Sequence, residues 1–299
     1  MSDERIIRGA YDGTSPAFRG LEAWGWGELV NLGYYPLVAL PGLAFGMAPF
    51  QRRLVRHALD LLAPQPGERV LDAGCGRGGA TVRIAARGAD VVGIDLLPEN
   101  VAEAEARNGS DPRVRFAVGD VTRLSGCTAD VELSDGSFDA VLCLEAAFHF
   151  GPKGRRAFLE EARRVLRPGG RLLLVDFVWN DSQPERIESL DPQRWVRDTW
   201  RFAEFEPLER YRATARELGF RELRFLDWTR QVTARFQLIA TFLARTGSWR
   251  VGRAVWSALR PRLRRIRAEE WPELVLLMRA HGEVQRASRY VAFLLEKPL

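Results

Sequence analysis

Short apolar segments alternate with segments of helical spacing through the middle of the chain. In the helix predicted for 51–63, for example, Leu54, Ala58 and Leu61 share one face. Such alternation is typical of a parallel sheet with helices on both faces. The predicted strands are 69–71, 91–95, 114–118, 138–144 and 171–176, and the predicted helices between them are 80–86, 98–107 and 153–166.

The pattern changes after Asp176. Residues 177–205 contain three tryptophans and no clear strand. A helix is predicted for 208–218, and a sixth strand for 221–226. Residues 228–287 are mostly helical in pattern, and 290–297 is a plausible last strand. We therefore expect an α/β core in the first half and helical insertions around the last strands.

A glycine-rich turn follows the first predicted strand. Residues 70–79 read Val-Leu-Asp-Ala-Gly-Cys-Gly-Arg-Gly-Gly, and a helical pattern begins directly afterwards. Gly74, Gly76 and Gly78 would let the backbone turn with positive φ and approach a ligand closely. The helix start would offer free N–H groups to that ligand. By itself this turn fits a dinucleotide site equally well.

Polar residues stand at the ends of the strands that follow. Asp95 ends the second strand about 20 residues after the glycines, where a carboxylate reaches ribose hydroxyls. Asp120 follows the third strand, Glu145 and His149 follow the fourth, and Asp176 ends the fifth. Open α/β sheets bind ligands at this edge, so the pattern predicts one site there.

Together these stretches resemble the class I S-adenosylmethionine-dependent methyltransferases, over about residues 55–180. The matching segments are Asp72 to Gly78, Asp95, Gly119-Asp120 and the Leu-Arg-Pro-Gly-Gly turn at 166–170. A dinucleotide-binding fold lacks the Asp-x-Gly-x-Gly start and the Arg-Pro-Gly-Gly turn. The resemblance implies a Rossmann-like sheet of seven strands with helices on both faces. Its seventh strand would be antiparallel and lie beside the sixth. The alternative is a related scaffold that has lost its ligand.

The resemblance also implies the cofactor, S-adenosylmethionine, and its contacts. Gly74 and Gly76 would face the methionine part, Asp95 the ribose and Asp120 the adenine amine. No metal site is predicted. The predicted cofactor-binding residues are Tyr34, Asp72, Gly74, Cys75, Gly76, Gly78, Asp95, Leu96, Gly119, Asp120, Val121 and Glu145.

Three parts of the chain are distinguished. Residues 1–50 would form an N-terminal helical cover, 51–178 the cofactor-binding core, and 179–299 the rest of the sheet with helical substrate-cap insertions. Within the cover, the segment Asn31 to Tyr35 weakly resembles methyltransferases that act on lipids and polyketides. There such a segment folds over the cofactor and the substrate entrance. Ordinary packing of an N-terminal helix pair is the alternative.

All nine tryptophans lie outside 51–178. Large amphipathic aromatic side chains that converge over the sheet edge would line a pocket for an apolar small molecule. The alternative is that a helical cap uses them to fill its own core. We favour the pocket. The tryptophans are Trp24, Trp26, Trp179, Trp195, Trp200, Trp228, Trp249, Trp256 and Trp271.

Charge and composition leave both a membrane and nucleic acid open as partners of one basic segment. The net charge is +5, and the basic segment 245–267 interleaves arginines with apolar residues. Such a helix suits an anionic membrane or nucleic acid, although a solvated helix face is the favoured interpretation. Residues 29–51 carry no charge, but their prolines and glycines would break a spanning helix, so we expect cover over a pocket with membrane contact as the lesser alternative. Scattered cysteines and the lack of a signal peptide predict a cytoplasmic protein.

The catalytic pair predicted is His149 as general base and Asp176 as its orienting group, since they end neighbouring strands. Matching positions serve this way in sugar O-methyltransferases of the rebeccamycin-pathway type, which this chain resembles. His149 packing beside its neighbouring phenylalanines is the alternative. For His281, in the C-terminal insertion, a surface position is favoured, and entry into the pocket is the alternative. The chain lacks the Asn/Asp-Pro-Pro-Tyr/Phe turn of nucleic-acid amino-methyltransferases, which disfavours nucleic acid as substrate.

The sequence therefore predicts methylation of a hydroxyl on a lipophilic polyketide, lipid or glycoside. C-methylation of an enol or alkene is the second hypothesis. A cyclase that binds the cofactor without transferring its methyl group is the third. The oligomeric state is not predicted.

Overall fold

One mixed sheet forms the centre of the protein. The computed structural model describes residues 16–36, 46–127, 133–180, 186–202 and 204–299. The strand order is β3-β2-β1-β4-β5-β8-β7, and the two-residue β6 pairs with the end of β5. The strands are β1 (Arg69–Ala73), β2 (Asp90–Asp95), β3 (Val114–Val118), β4 (Phe138–Leu144), β5 (Leu166–Trp179), β6 (Glu206–Pro207), β7 (Arg221–Asp227) and β8 (Ser288–Glu296).

Helices connect and cover these strands. Short 3-10 turns lie at Leu124–Gly126, Ala147–His149 and Pro261–Arg265, and a π-helical turn at Arg230–Ala234 precedes α9. The α-helices are α1 (Pro16–Trp24), α2 (Ala48–Leu62), α3 (Thr81–Ala85), α4 (Pro98–Asn108), α5 (Gly151–Val165), α6 (Arg186–Leu190), α7 (Trp195–Trp200), α8 (Leu208–Glu217), α9 (Arg235–Gly247), α10 (Arg250–Leu259) and α11 (Glu270–Ala287).

The predicted fold class is confirmed. The strands from β1 to β5 are parallel, and β8 lies antiparallel between β5 and β7. β5 is longer than the predicted 171–176. It begins at Leu166, which pairs with Phe138 of β4, and the pairing continues from Arg171 after a shift in register at the Pro-Gly-Gly turn. It also continues to Trp179, into the segment where no strand was predicted.

The sheet separates two apolar cores, and alternate residues of each strand enter different ones. On β5, Leu173 and Val175 join the core beneath α2, α9 and α11. Leu172 and Leu174 point the other way, toward α5 and α8. This alternation decides which polar residues of the strand ends can reach a given ligand site.

The N-terminal segment is held over the sheet edge by α2. The buried side chain of Gln51 donates hydrogen bonds of 2.9 Å to the carbonyl oxygens of Leu29 and Asn31. The indole of Trp26 donates another to Asn31, at 3.1 Å. The predicted cover 1–50 and the uncharged segment 29–51 lie partly outside the described residues.

None of the helices in the described ranges is long and apolar enough to cross a bilayer.

A buried ion pair fastens the segment before α8 to α5. Arg155 Nε lies 2.7 Å from Glu206 Oε2, and both side chains are at most 5% exposed. Arg155 also donates a hydrogen bond of 3.0 Å to the carbonyl of Glu204. Because Phe202 and Phe205 belong to the same segment, this pair fixes aromatic side chains that matter for the site described below.

We predict that Arg155→Ala destabilises the protein strongly, by about 3–5 kcal/mol, because it leaves the buried Glu206 carboxylate with only the half-exposed Arg210 as partner. The matched control is Arg156→Ala, which removes an exposed arginine paired with Glu217 and should leave the free energy of unfolding nearly unchanged. Urea denaturation measures both. Equal midpoints for the two variants would contradict the assignment.

Candidate functional site

A cavity of about 600 Å³ opens where β1, β2, β3 and β4 end. We call it the polar cavity. It gathers most of the residues that the sequence predicts for the site, although they come from four separate stretches of chain. Eleven of the fourteen line it: Asp72, Gly74, Cys75, Gly76, Asp95, Leu96, Gly119, Asp120, Val121, Glu145 and His149.

The glycine-rich turn forms one wall of the polar cavity. Gly74 and Gly76 have φ of +78° and +54°, which favours glycine. A Cβ added to Gly74 would lie 2.5 Å from that of Ala146, so the turn packs tightly against the end of β4. A Cβ added to Gly76 would meet no atom within 4 Å, so its backbone borders open space. Gly78 instead packs against Phe116 and lies outside the cavity wall.

Asp95 ties this turn to the end of β2. Its carboxylate accepts hydrogen bonds from the backbone N–H of Gly76 at 2.9 Å and of Leu97 at 3.0 Å. The amide of Asn100 donates a third bond, at 3.0 Å. Burial raises the pKa of the Asp95 carboxyl despite these bonds. The sequence analysis missed Asn100, which no motif distinguishes from its helical neighbours.

Two further carboxylates stand beside Asp95. Asp72 is buried and accepts a hydrogen bond of 2.7 Å from the Thr81 hydroxyl. Burial, with the nearby Asp95 charge, raises the pKa of Asp72 to about 6. Asp120 accepts bonds from the backbone N–H and the hydroxyl of Thr122, at 2.9 and 2.7 Å. The polar cavity is therefore lined by carboxylates from three successive strands.

A second cavity, of about 80 Å³, lies against the first. We call it the aromatic cavity. Phe177 stacks on Phe205 with ring centroids 5.3 Å apart, and Phe205 stacks on Phe202 at 4.5 Å. Polar groups are confined to a few positions on its wall. The lining side chains are Trp26, Val30, Leu32, Glu145, Phe148, Phe177, Val196, Trp200, Phe202, Phe205, Thr233, Phe236, Gln237, His281, Val284, Gln285 and Ser288.

Glu145 borders both cavities, as does Val30. Glu145 has a φ of +52°, a left-handed conformation that is uncommon outside glycine. The Tyr290 hydroxyl donates a hydrogen bond of 2.6 Å to its carboxylate, and the backbone N–H of Leu32 donates others of 3.1 and 3.2 Å. Burial raises the pKa of the Glu145 carboxyl to about 8, against the opposing effect of these bonds.

His149 lies on the wall of the polar cavity, and its ring packs at a tilt against that of Phe148, with ring centroids 3.9 Å apart. Burial lowers the pKa of its imidazole to about 4, and a hydrogen bond to the backbone of Arg201 opposes this shift. The ring is therefore neutral at physiological pH. A neutral imidazole that donates through one nitrogen has a hydrogen-bond acceptor in the other.

Asp176 does not join His149. Its carboxylate accepts a hydrogen bond of 3.2 Å from the Tyr211 hydroxyl, and its pKa, raised by burial to about 7, is moderated by Phe177, Arg155 and Tyr211. The physical reason is strand alternation, because Asp176 shares the side of β5 that faces α5 and α8. The orienting contact to His149 comes from the backbone of Arg201 instead. The proposed pair is thus not brought together.

Tyr34 also lies outside both cavities. Its ring packs against His57 and Trp228, with centroids 4.1 and 5.9 Å apart. Its neighbour Tyr35 is completely buried, and burial together with the Glu145 carboxylate raises the pKa of its hydroxyl. The segment that was expected to cover the cofactor therefore approaches Glu145 through Tyr35 and Leu32, not through Tyr34.

The surface position expected for His281 is wrong. The imidazole lines the aromatic cavity, and its Nε2 accepts a hydrogen bond of 2.9 Å from the Trp200 indole. Burial lowers its pKa to about 4. The tryptophans are divided: Trp26 and Trp200 line the aromatic cavity, whereas Trp249 is 66% exposed. Others fill the core of the helical part, as the alternative interpretation expected, and a small-molecule pocket lined by tryptophans stays a prediction.

Comparison with known proteins shows which families and structures this chain is similar to. A sequence-family model described as a methyltransferase domain matches residues 70–170. The chain is 32% identical over 218 residues to a 2-methyl-6-phytyl-1,4-hydroquinone methyltransferase from Synechocystis sp., covering 70% of this chain and 65% of that protein. It is 28% identical over 272 residues to a probable chloroplastic tocopherol O-methyltransferase from Oryza sativa, covering 85% and 70%. Other curated relatives are matched over about half of their length.

Among solved structures, a geranyl diphosphate methyltransferase in complex with geranyl diphosphate and sinefungin has the same fold. The TM-score is 0.70 at 20% identity, and the superposition covers 99% of this chain and 98% of the other.

We predict that Glu145→Gln reduces the pH dependence of thermal stability. The raised pKa of the folded protein means that stability falls as pH rises from about 4.5, where the unfolded carboxyl ionises, to about 8, where the folded one does. Glutamine can accept the same hydrogen bonds and has no proton to release. The melting temperature of the variant should therefore decrease less between about pH 5 and about pH 8 than that of the wild type.

The control is Glu105→Gln, the same change at an exposed position on α4. It should leave the wild-type pH slope intact. Parallel slopes for Glu145→Gln and the wild type would mean that this carboxyl ionises normally in the folded protein.

Proposed function

Because this chain belongs to the class I S-adenosylmethionine-dependent methyltransferases, we propose that it transfers a methyl group to a lipophilic small molecule. The single observation that carries this proposal is the pair of adjoining cavities. One is lined by carboxylates and a glycine-rich turn, and the other by phenylalanine and tryptophan. They share Glu145 and Val30, so ligands in the two cavities would meet there.

The polar cavity suits S-adenosylmethionine. The open space beside the Gly76 backbone is where a ligand would approach the turn. In this proposal Gly74 and Gly76 border the methionine part, Asp95 binds the ribose, and Asp120 binds the adenine amine. The cofactor supplies an activated methyl group on a sulfonium sulfur. The protein then needs only to place the acceptor in line and to take up a proton where one is released.

The aromatic cavity suits the apolar body of the acceptor. Apolar pockets of this kind fix orientation with a few polar groups. Its volume of about 80 Å³ is too small for a molecule such as the phytylated hydroquinone in the name of the Synechocystis relative. An acceptor of that size therefore enters with displacement of the aromatic side chains contributed by α7 and the segment after it. Residues 1–50 and 179–299 would then act as cover and cap for this binding.

The acceptor atom proposed is a hydroxyl oxygen, with His149 as general base. His149 lines the polar cavity, and its neutral imidazole is held through the backbone of Arg201. We do not assign Asp176 a part in this step. C-methylation is the second candidate, which Glu145 favours, because its carboxylate, formed as the pH rises through the pKa of about 8, would stabilise positive charge that develops on a carbon acceptor in the aromatic cavity.

The proposal is tested with prenylated hydroquinones and phenols as acceptors. Methyl transfer predicts stoichiometric release of S-adenosylhomocysteine and a methylated product. A different outcome would support a cofactor-bound cyclase instead: no acceptor causes release of S-adenosylhomocysteine, and one acceptor is converted to a product that carries no new methyl group.

We predict that Asp95→Ala weakens S-adenosylmethionine binding by about 1.5–3 kcal/mol, because it removes a charged hydrogen-bond acceptor and releases the Gly76 turn. Isothermal titration calorimetry measures the affinity. Asp90→Ala, an exposed acid at the opposite end of β2, is the control and should bind normally. Unchanged affinity in Asp95→Ala would remove the ribose assignment.

We predict that His149→Ala lowers single-turnover methylation of a hydroxyl acceptor by about 10²–10⁴, with little change in cofactor affinity. Since the imidazole is neutral above its pKa of about 4, the ratio of the two rates should stay constant from about pH 6 to about pH 9. His57→Gln, which alters a histidine outside both cavities, is the control. A near wild-type rate, or a carbon-methylated product, would end the base assignment.

A further inference from the structure

A long stretch of the chain has many positive charges and no negative ones. Residues 228–268 contain ten arginines and no aspartate or glutamate. The segment forms the π-helical turn, α9, α10 and the 3-10 turn at Pro261–Arg265. Its position on the protein, rather than its charge alone, is what suggests a partner.

The outer side of α9 and α10 is apolar as well as basic. On α10, Val251, Val255 and Leu259 recur at every fourth residue, so they form one stripe along the helix. All three are exposed, Val251 at 77%. Leu238 and Phe242 form a similar exposed pair on α9. Six of the nine large apolar side chains that are exposed among the described residues belong to this surface: Leu238, Phe242, Trp249, Val251, Val255 and Leu259.

These side chains form one surface because α9 and α10 pack together. The Phe242 and Trp256 rings meet edge to face at 6.2 Å, and the Trp256 indole donates a hydrogen bond of 2.8 Å to the Thr246 hydroxyl. Trp256 is the buried anchor of α10. The rest of α10 is therefore left facing outward.

Exposed arginines precede and follow the apolar stripe along the chain, from the end of α9 to the 3-10 turn after α10. Arg245, Arg250, Arg262, Arg264 and Arg265 are exposed, and within the described ranges none of them makes an ion pair with an acid. The neighbouring Arg267 differs, since it pairs with Glu269 and Glu270. We call the six apolar residues and these five arginines the basic apolar face.

We propose that the basic apolar face docks the protein on an anionic lipid membrane. Arginines are attracted to acidic headgroups, while valine, leucine and tryptophan side chains enter the interface beneath them. A solvated helix face, which the sequence favoured, carries polar residues where this one carries Val251, Val255 and Leu259. Nucleic acid would use the arginines but not the apolar stripe. A second copy would bring like charges together across a twofold interface.

This inference rests on the proposed function in one respect: membrane docking would bring the protein to a lipophilic acceptor. The inner side of α9 contributes Phe236 and Gln237 to the aromatic cavity, and its outer side belongs to the basic apolar face. One helix, about 10 Å across, thus separates the cavity from the docking surface. A lipophilic acceptor dissolved in the membrane would reach the site over a short path.

The experiment is co-sedimentation of the whole chain with vesicles of phosphatidylcholine alone and of equal parts phosphatidylcholine and phosphatidylglycerol. We expect the protein to bind the anionic vesicles. Binding should be much weaker to the neutral vesicles, and also to the anionic vesicles at about 1 M salt. The charge variant Arg250→Glu, Arg264→Glu and Arg265→Glu should bind about a hundredfold more weakly, at about fivefold per arginine.

The apolar variant Trp249→Ala, Val251→Ser and Val255→Ser should bind roughly tenfold more weakly, although its charge is unchanged. The control combines Arg115→Glu and Leu223→Ser, which alter exposed residues on β3 and β7. It should bind like the wild type. All these side chains are exposed, and circular dichroism checks that each variant is folded.

Three results would overturn the proposal. The first is no preference for anionic vesicles. The second is full vesicle binding by the apolar variant, which would leave only electrostatic attraction, as for a nucleic acid. The third is a wild-type dimer in sedimentation velocity that both variants disrupt, which would assign the face to a second copy. Vesicle binding is measured without a methyl acceptor, so it does not depend on the proposed methyl transfer. Methyl transfer is tested separately with an acceptor dispersed in detergent, and its failure would appear there as an absence of turnover.

Discussion

The site depends on one partly buried carboxyl group, that of Glu145. Its hydrogen bonds join three parts of the chain that are far apart in sequence: the N-terminal segment through Leu32, the end of β4 through its own backbone, and β8 through Tyr290. The left-handed backbone at Glu145 turns the side chain back under the N-terminal segment. The same carboxyl separates the polar cavity from the aromatic one. The adjoining arrangement of the two cavities, on which the proposed function rests, therefore depends on this group.

Burial of acids recurs around the polar cavity, and it has an electrostatic cost. Burial raises the pKa values of Asp72, Asp95 and Glu145, because it disfavours the charged form of each carboxyl group. Backbone N–H groups and hydroxyls bind these carboxyls instead of arginine. Burying these acids without a charged partner lowers the stability of the folded protein near neutral pH. By contrast, the buried charge of Arg155 is paired, because its task is to hold the aromatic segment in place.

Local patterns predicted the sheet and the polar cavity well. The residues that end β1, β2 and β3 are positioned by the strands themselves, so Asp95 and Asp120 could be found from spacing. Asp176 could not be placed by the same rule, because the rule ignores which side of the strand a residue faces. Its parity with Leu172 and Leu174, both apolar and turned toward α5, was the signal available in the sequence. His281 and Tyr35 depend on how helices and loops pack over the sheet, for which the sequence carries no local pattern.

The most direct test of the account is a crystal structure with S-adenosylhomocysteine and an apolar acceptor bound together. We predict the sulfur atom in the polar cavity beside Glu145, and the acceptor among Phe177, Phe202 and Phe205, with its reactive atom facing the sulfur. An acceptor bound elsewhere, for example in the cleft between α8 and β7, would contradict it, because the two cavities would then not form one reaction site.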